Sequence, residues 1–143
     1  MYLRSVIIEN VKSFRGTHRF DFKPGVNFFV GDNNSGKSTV LEALLFMFEG
    51  PSATRWTPDK FYCAESDGAT RVEVDMLVVQ DKFKVLKDFV FEDSGQRILR
   101  LERSSEMRTV VQNGRDKKVD VKSVCFWHPE REKFENVTGI DAK

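Results

Sequence analysis

Hydrophobic periodicity divides the first fifty residues into strands and one helix. Tyr2–Asn10, with an apolar centre, predicts a first strand, and the alternation over His18–Phe22 predicts a second. The continuous apolar run Val26–Val30 predicts a third, buried strand, which follows a tight turn at Lys23–Gly25. Lys37–Phe48 has the spacing of an amphipathic helix. We therefore expect two antiparallel strands, a third strand, a loop and a helix, in that order.

The apolar positions of this helix select one face for burial. Those that recur at i, i+3, i+4 and i+7 are Leu41, Leu44, Leu45 and Phe48. We expect this face to pack on a sheet and Glu42 to stay outside. The helix should end at Gly50, just before Pro51.

Period-two alternation begins after a 19-residue connection, 52–70. That connection carries Trp56, Phe61 and Tyr62 and fits either a functional loop or a packed surface loop, with one helical turn around Pro58–Tyr62. Arg71–Val78 predicts a half-buried antiparallel strand with its charged residues on the exposed face.

The remaining part of the chain predicts more strands. Asp81–Asp88 fits a short amphipathic helix, which we favour, or the start of a strand. Ile98–Arg103 predicts a strand. Asn113 and Gly114 predict the turn of a hairpin between 109–111 and 119–121, with 115–118 widening the turn or adding a bulge. A further apolar run, 123–127, ends at His128, and 129–143 shows no clear period.

Composition and charge exclude several classes of protein. The chain has 143 residues, 31% of them charged, and a net charge of +1, so no overall field points to a nucleic acid or a membrane surface. No apolar stretch has membrane-spanning length, and the N-terminus does not have the pattern of a secretory signal. Cys63 and Cys125 lack the spacing of a zinc site or disulfide framework, which favours a reduced, cytoplasmic setting.

The loop between the predicted third strand and the helix carries the clearest chemistry. Gly31–Thr39 reads GDNNSGKST and fits the phosphate-binding pattern GxxxxGK[ST]. In such a loop, backbone N–H groups and the positive end of the helix dipole surround phosphate oxygens. Lys37 should reach the β and γ phosphates of ATP, and the Ser38 hydroxyl should hold Mg²⁺. The expected binding residues of the loop are Gly31, Asn33, Ser35, Gly36, Lys37 and Ser38.

Two segments around this loop resemble the structural-maintenance (SMC), Rad50 and RecF group of ABC-type ATPases, and especially its overcoming-lysogenization-defect (OLD) family of ATPase/nucleases. They are IIENVKSFRG at Ile7–Gly16 and NFFVGDNNSGKSTVLEAL at Asn27–Leu44; a looser match is WHPEREKFENVTGID at 127–141. The resemblance implies that Lys12 and Ser13 lie beside the phosphates and sugar of the nucleotide, and that Asn34 and Thr39 complete the contacts of the loop. The alternative for Lys12 is an ordinary solvated lysine in a turn.

The family pattern is incomplete in this chain. The resemblance leads us to expect four apolar residues followed by Asp-Glu, and a signature loop similar to LSGGQ. The nearest acidic candidates are Asp75, before which Glu73 interrupts the apolar run, and Glu92 with Asp93, where the order is reversed. Ser94–Gln96 fits a hairpin turn better than a signature loop. No catalytic residue is therefore assigned, and the chain resembles the first half of an ATPase head.

The fold class expected from this resemblance is α/β (α+β), the N-terminal lobe of a P-loop ABC-type ATPase, with a mixed sheet, an antiparallel β-subdomain and one P-loop helix. We expect a single domain, 1–143, divided into nucleotide-binding strands, loop and helix (1–50), a connection (51–70), an antiparallel β-rich part (71–128) and a tail (129–143).

The leading hypothesis is a lobe that binds ATP and Mg²⁺, acts in DNA repair or antiphage defence, and is incomplete for hydrolysis alone. Its expected partners are ATP, the complementary half of the head or a second copy that dimerises on ATP, and DNA through the completed protein, with no membrane. Two alternatives stay open: a small self-sufficient phosphotransferase or GTPase, and a truncated, non-catalytic interaction module.

Overall fold

The computed structural model describes residues 1–33, 35–49, 69–80 and 84–136, without the side chains of residues 84 and 85. Its elements are β1 (Tyr2–Val11), β2 (Phe14–Asp21), α1 (Lys37–Phe48), β3 (Thr70–Leu77), a 3₁₀ helix (Lys84–Phe89), β4 (Val90–Asp93), β5 (Gln96–Gln112), β6 (Arg115–His128) and β7 (Lys133–Asn136). Within these residues, no helix is long and apolar enough to span a membrane.

The strands form one sheet in the order β2-β1-β3-β5-β6-β7, and β4 also pairs with β5. Every strand pair in the described ranges is antiparallel, so the predicted antiparallel pair β1–β2 is confirmed and the predicted mixed sheet is not found there. The fold is a mostly antiparallel sheet with one α-helix on it, which is consistent with part of a P-loop ATPase head. A parallel pair would need the segment Val26–Val30, which does not join the sheet.

The prediction of a buried third strand at Val26–Val30 is wrong. Val26, Phe28 and Val30 are 78%, 85% and 93% exposed, while Phe29 points inward and contacts the rings of Phe20 and Phe22. The segment belongs to no strand because none of the described strands pairs with it. One side of this segment is therefore apolar and exposed.

The bounds predicted for α1 are confirmed, but the predicted buried face is wrong. Leu41, Leu45 and Phe48 are 53%, 50% and 57% exposed, and Leu44 is only partly buried. The sheet instead contacts the face that carries Thr39, Val40, Ala43, Phe46 and Met47. The sequence is compatible with burial of either face, because the helix is apolar on most of its circumference. The core lies between this face and the β1 and β3 side chains Val6, Ile8, Val72 and Val74.

The charged face of β3 is buried, whereas the sequence predicted it to be exposed. Arg100 on β5 lies beside both acidic side chains of this face, with Nε 2.7 Å from Asp75 Oδ1 and 3.3 Å from Glu73 Oε1. Arg71 likewise lies between Glu9 and Glu102. Ion pairs across three strands therefore replace the water that we expected over this face.

In the second half, the hairpin turn at Asn113 and Gly114 is confirmed, with φ values of 55° and 70°. Gln112 pairs directly with Arg115, so 115–118 belong to β6 and neither widen the turn nor form a bulge. The favoured helix is confirmed as the 3₁₀ helix, apart from residues 81–83, which lie outside the described residues. Gly50 and Pro51, which were expected to follow the end of α1, and the predictions for 52–68, including Cys63, also lie outside the described residues. Strand β7 was not predicted.

Candidate functional site

The turn between β1 and β2 meets the loop before α1 in a cleft of about 760 Å³. The lining residues are Lys12, Ser13, Asn33, Ser35, Gly36, Lys37, Ser38 and Thr39, all of which the sequence named as site residues. Of the other two named residues, Gly31 belongs to the same loop without lining the cleft, and Asn34 lies outside the described residues. Two segments that are distant in sequence thus face one space.

The β1–β2 turn has an unusual backbone that is held by hydrogen bonds. Asn10 and Lys12 have φ values of 53° and 49°, a left-handed conformation that costs a residue other than glycine about 1 kcal/mol or more. The side-chain oxygen of Asn10 accepts from the Gly16 N–H at 3.0 Å, and its carbonyl accepts from the Thr70 hydroxyl at 3.0 Å. Val11 pairs with Phe14 across the turn. These contacts place Lys12 and Ser13 at the end of the hairpin that faces the loop.

Phe14 fixes the distance between this turn and the loop. A Cβ built on Gly36 would lie 2.6 Å from the Phe14 ring, and Gly36 has a φ of 88°. Both the close contact and the backbone conformation therefore require glycine. At Gly31, a Cβ would lie 2.8 Å from the Ser35 hydroxyl, so the start of the loop is also closely packed.

The Lys37 amine is bound by its own loop. Its Nζ donates to the carbonyl oxygens of Gly31 and Asp32, each at 2.6 Å, and lies 3.2 Å from the Ser35 hydroxyl. These acceptors hold the ammonium next to the cleft. A phosphate oxygen that entered would compete with neutral carbonyls, and a charged acceptor makes the stronger hydrogen bond.

The start of α1 is open to an anion. Its N-cap, Gly36, makes no side-chain cap, the first turn carries no acidic residue, and the Val40 N–H makes a helical bond to the Gly36 carbonyl at 3.1 Å. The N–H groups before Val40 have no partner within the helix. Together with the helix dipole, they favour phosphate binding at this end. The Ser38 side chain is exposed here, whereas Thr39 is buried.

Lys12 is paired with Glu42 on the second turn of α1, and each side chain is 35% exposed. The ammonium is therefore held at the cleft by a carboxylate of the helix whose N-terminus forms the other wall. Sequence reasoning placed Glu42 simply on the outside of the helix, and no motif singled it out.

The acidic candidates lie at the other end of the sheet. Asp75 pairs with Ser5 in the β1–β3 register, and Asp93 binds Arg4 at 2.5 Å. Ser5 precedes Val11, the last residue of β1, by six residues, which corresponds to roughly 20 Å at a strand rise of about 3.3 Å per residue. These carboxylates therefore cannot reach the cleft in this arrangement. Ser94 and Gly95, with φ values of 53° and 73°, form the hairpin turn that the sequence favoured over a signature loop.

Arg103 anchors the far end of α1 and was not identified from the sequence. It is buried on β5, and its Nη1 donates to the carbonyls of Phe46 at 2.5 Å and of Glu49. Its guanidinium lies 4.7 Å from the centre of the Phe46 ring, and burial lowers its pKa. A cation at the negative end of a helix dipole is stabilising, so Arg103 holds the helix that presents the loop. An arginine in an alternating strand gives no sequence signal for this role.

Comparisons with known proteins agree with this geometry. Residues 5–137 match the sequence model of a family described as an AAA domain. The chain is 36% identical over 95 residues to structural maintenance of chromosomes protein 4 of Schizosaccharomyces pombe, covering 65% of this chain and 7% of that protein. It is 45% identical over 47 residues to the DNA replication and repair protein RecF of Colwellia psychrerythraea, covering 33% of this chain and 12% of that protein.

A solved structure from work on ATP-driven dimerization and DNA-stimulated activation of SMC ATPases superposes with a TM-score of 0.55 at 18% identity. The match covers 85% of this chain and 69% of the other, and it shows a shared fold. The chain spans only 7% and 12% of the length of these two curated relatives. The family model, in contrast, matches residues 5–137, which is most of this chain. The chain is similar to SMC and RecF proteins over part of its length, and it belongs to the AAA domain family.

Proposed function

We propose that this chain binds ATP with Mg²⁺ as the nucleotide-binding lobe of an SMC/RecF-type ATPase head. The observation that carries the proposal is the cleft in which the Lys12–Ser13 turn, the loop before α1 and the uncapped N-terminus of α1 come together. Two ammonium groups and several backbone donors face one space, which suits a polyphosphate.

Each lining residue has a role in this proposal. The N–H groups at the start of α1 bind the phosphates, and Lys37 exchanges its loop carbonyls for β and γ phosphate oxygens. The exposed hydroxyl of Ser38 suits Mg²⁺, which takes few protein ligands and completes its shell with phosphate oxygens and water. Mg²⁺ would neutralise charge on the phosphates. Asn33, Ser35 and the residues at 12 and 13 supply further polar contacts.

Hydrolysis requires a group that orients water, and phosphoryl transfer depends on such positioning. The candidate carboxylates of Asp75 and Asp93 lie toward the other end of β1 and β3 from the cleft. This geometry favours a binding lobe over a self-sufficient phosphotransferase or GTPase. We expect the isolated chain to bind ATP without turning it over.

The complementary half of the head is the proposed partner, and the chain has exposed apolar side chains on both sides of the loop. They are Val26, Phe28 and Val30 before it, and Leu41, Leu45 and Phe48 after it. Exposed apolar surface of this kind marks an interaction site. We place 1–143 as one lobe of that head, with a second copy as the alternative partner. An OLD-like role in DNA repair or antiphage defence in the cytoplasm, and DNA as a ligand of the completed protein, extend this proposal.

Calorimetric titration of the purified chain with ATP and Mg²⁺ tests the proposal, with Lys37→Ala as the matched control. We expect saturable binding by the wild type and at least a tenfold weaker affinity for Lys37→Ala, because a charge-assisted contact contributes about 1.5 to 3 kcal/mol. Equal heats for the two proteins would contradict it. ATP turnover above the Lys37→Ala background, abolished by Glu92→Gln, would instead support the self-sufficient enzyme.

A further inference from the structure

The Lys12–Glu42 ion pair joins the β1–β2 turn to α1 by charge at the edge of the cleft. Lys12 lines the cleft, and the backbone at this residue is in a left-handed conformation that lysine rarely adopts. Glu42 lies five residues after Lys37 on α1, about 7.5 Å along the helix axis at 1.5 Å per residue. A negative charge thus lies close to the end of the helix that suits an anion.

We infer that Glu42 competes with nucleotide phosphates for the Lys12 ammonium. Without nucleotide, the carboxylate holds the ammonium; when a triphosphate enters, its oxygens displace Glu42 and Lys12 turns into the cleft. This inference rests on the proposed function and adds a residue that sets the affinity. Glu42 is a positioning residue, because it acts on the nucleotide through Lys12.

The physical argument is an exchange of counter-ions. A partly exposed ion pair contributes about 0.2 to 1 kcal/mol, so displacing Glu42 reduces the affinity by up to about fivefold. A triphosphate carries several negative charges near Lys12, whereas Glu42 supplies one, so the exchange favours ligands with more phosphates. The competition weakens as ionic strength rises, because both charges are partly exposed to water.

Glu42→Gln tests the exchange, since it removes the charge and keeps the size of the side chain. We expect Glu42→Gln to bind ATP about two to five times more tightly than the wild type at low salt. The gain should be smaller for ADP and absent for AMP. The matched control is Glu106→Gln, which makes the same change of net charge on the β5–β6 hairpin, where Glu106 pairs with Arg108, and it should leave the affinity unchanged.

The same substitution in a Lys12→Met background separates the exchange from a general field effect. There the gain from Glu42→Gln should disappear, because no ammonium remains to be released. An equal gain in both backgrounds would overturn the inference in favour of simple repulsion between Glu42 and the phosphates. Weaker binding by Glu42→Gln would overturn the inference and would mean that Glu42 holds Lys12 in position for the nucleotide. Unchanged binding would also overturn it. If the wild type binds no ATP, the proposed function fails together with this inference. If the wild type binds ATP and Glu42→Gln has the same affinity, only this inference fails.

Discussion

The two faces of α1 should respond very differently to truncation. Phe46 has 0% exposure and packs between the helix and the sheet, whereas the adjacent Leu45 is 50% exposed. We expect Phe46→Ala to destabilise the chain strongly and Leu45→Ala to have a small effect. The pair is a matched comparison, because both residues lie in the same turn of the helix.

The expected magnitudes follow from burial. Phe→Ala in a core costs about 3 to 5 kcal/mol. Phe46 also lies under the Arg103 guanidinium, so losing the ring removes a cation–π contact of about 1 kcal/mol. Complete burial of a leucine contributes about 1.5 to 3 kcal/mol, so truncating a half-exposed one should cost about 1 kcal/mol or less. The two free energies of unfolding should therefore differ by about 3 kcal/mol.

Urea unfolding followed by circular dichroism gives both free energies from the midpoint and the slope. A mutation that removes core packing should shift the midpoint and leave the slope unchanged. Equal losses for the two variants would refute the argument from burial. A larger loss for Leu45→Ala would mean that the face expected from the sequence is the one that packs on the sheet.

Two further predictions concern the loop and the charged face of β3. Gly36→Ala should destabilise the chain and weaken ATP binding, because the new Cβ meets the Phe14 ring. The control Gly114→Ala, at φ 70° with no atom within 4 Å of its Cβ, should show only the backbone cost of about 1 to 2 kcal/mol. Equal losses in the free energy of unfolding would contradict the packing argument. Burial raises the pKa of Glu73 despite the opposing charge of Arg100, so its contribution to stability is full below its ordinary pKa of 4.5 and is lost as pH rises through the raised pKa. Glu73→Gln should therefore gain stability relative to the wild type between pH 4 and pH 7 in thermal unfolding, and a constant difference would contradict this assignment.

Sequence periodicity predicted the bounds of α1 correctly and its buried face incorrectly. The glycine and lysine of the loop mark the start of the helix, and this signal depends only on local residues. The face depends on which apolar stripe meets the sheet, and Val40, Ala43 and Met47 form a stripe as regular as the predicted one. Local pattern therefore gives the length of an element, whereas the choice between two apolar stripes depends on tertiary packing.

The loop motif predicted most of the cleft, since its residues are adjacent in sequence. The β1–β2 turn was predicted as part of the site only from a family resemblance, because its position depends on the close contact between Phe14 and Gly36. No motif or periodicity in the sequence identified Glu42 as part of the site. A single acidic residue on a helix is usually a solvated one, and its relation to Lys12 exists only once two distant segments are folded together.

The exposed segment Val26–Val30 bears directly on the chemistry of the loop that follows it. The Gly31 and Asp32 carbonyls, which hold Lys37, come immediately after this segment. Phe29 anchors the segment among aromatic rings, and the Asn27 side chain hydrogen-bonds the backbone of the preceding turn. On the far side of the loop, α1 is fixed by the core and by Arg103. The end of the loop is thus attached to the buried core, whereas Val26, Phe28 and Val30 at its beginning are exposed. A partner that covers Val26, Phe28 and Val30 would fix those two carbonyls, and with them the starting position of the Lys37 amine. A partner on this segment would therefore act on nucleotide binding through the position of the Lys37 amine, besides any residue that the partner itself places at the phosphates.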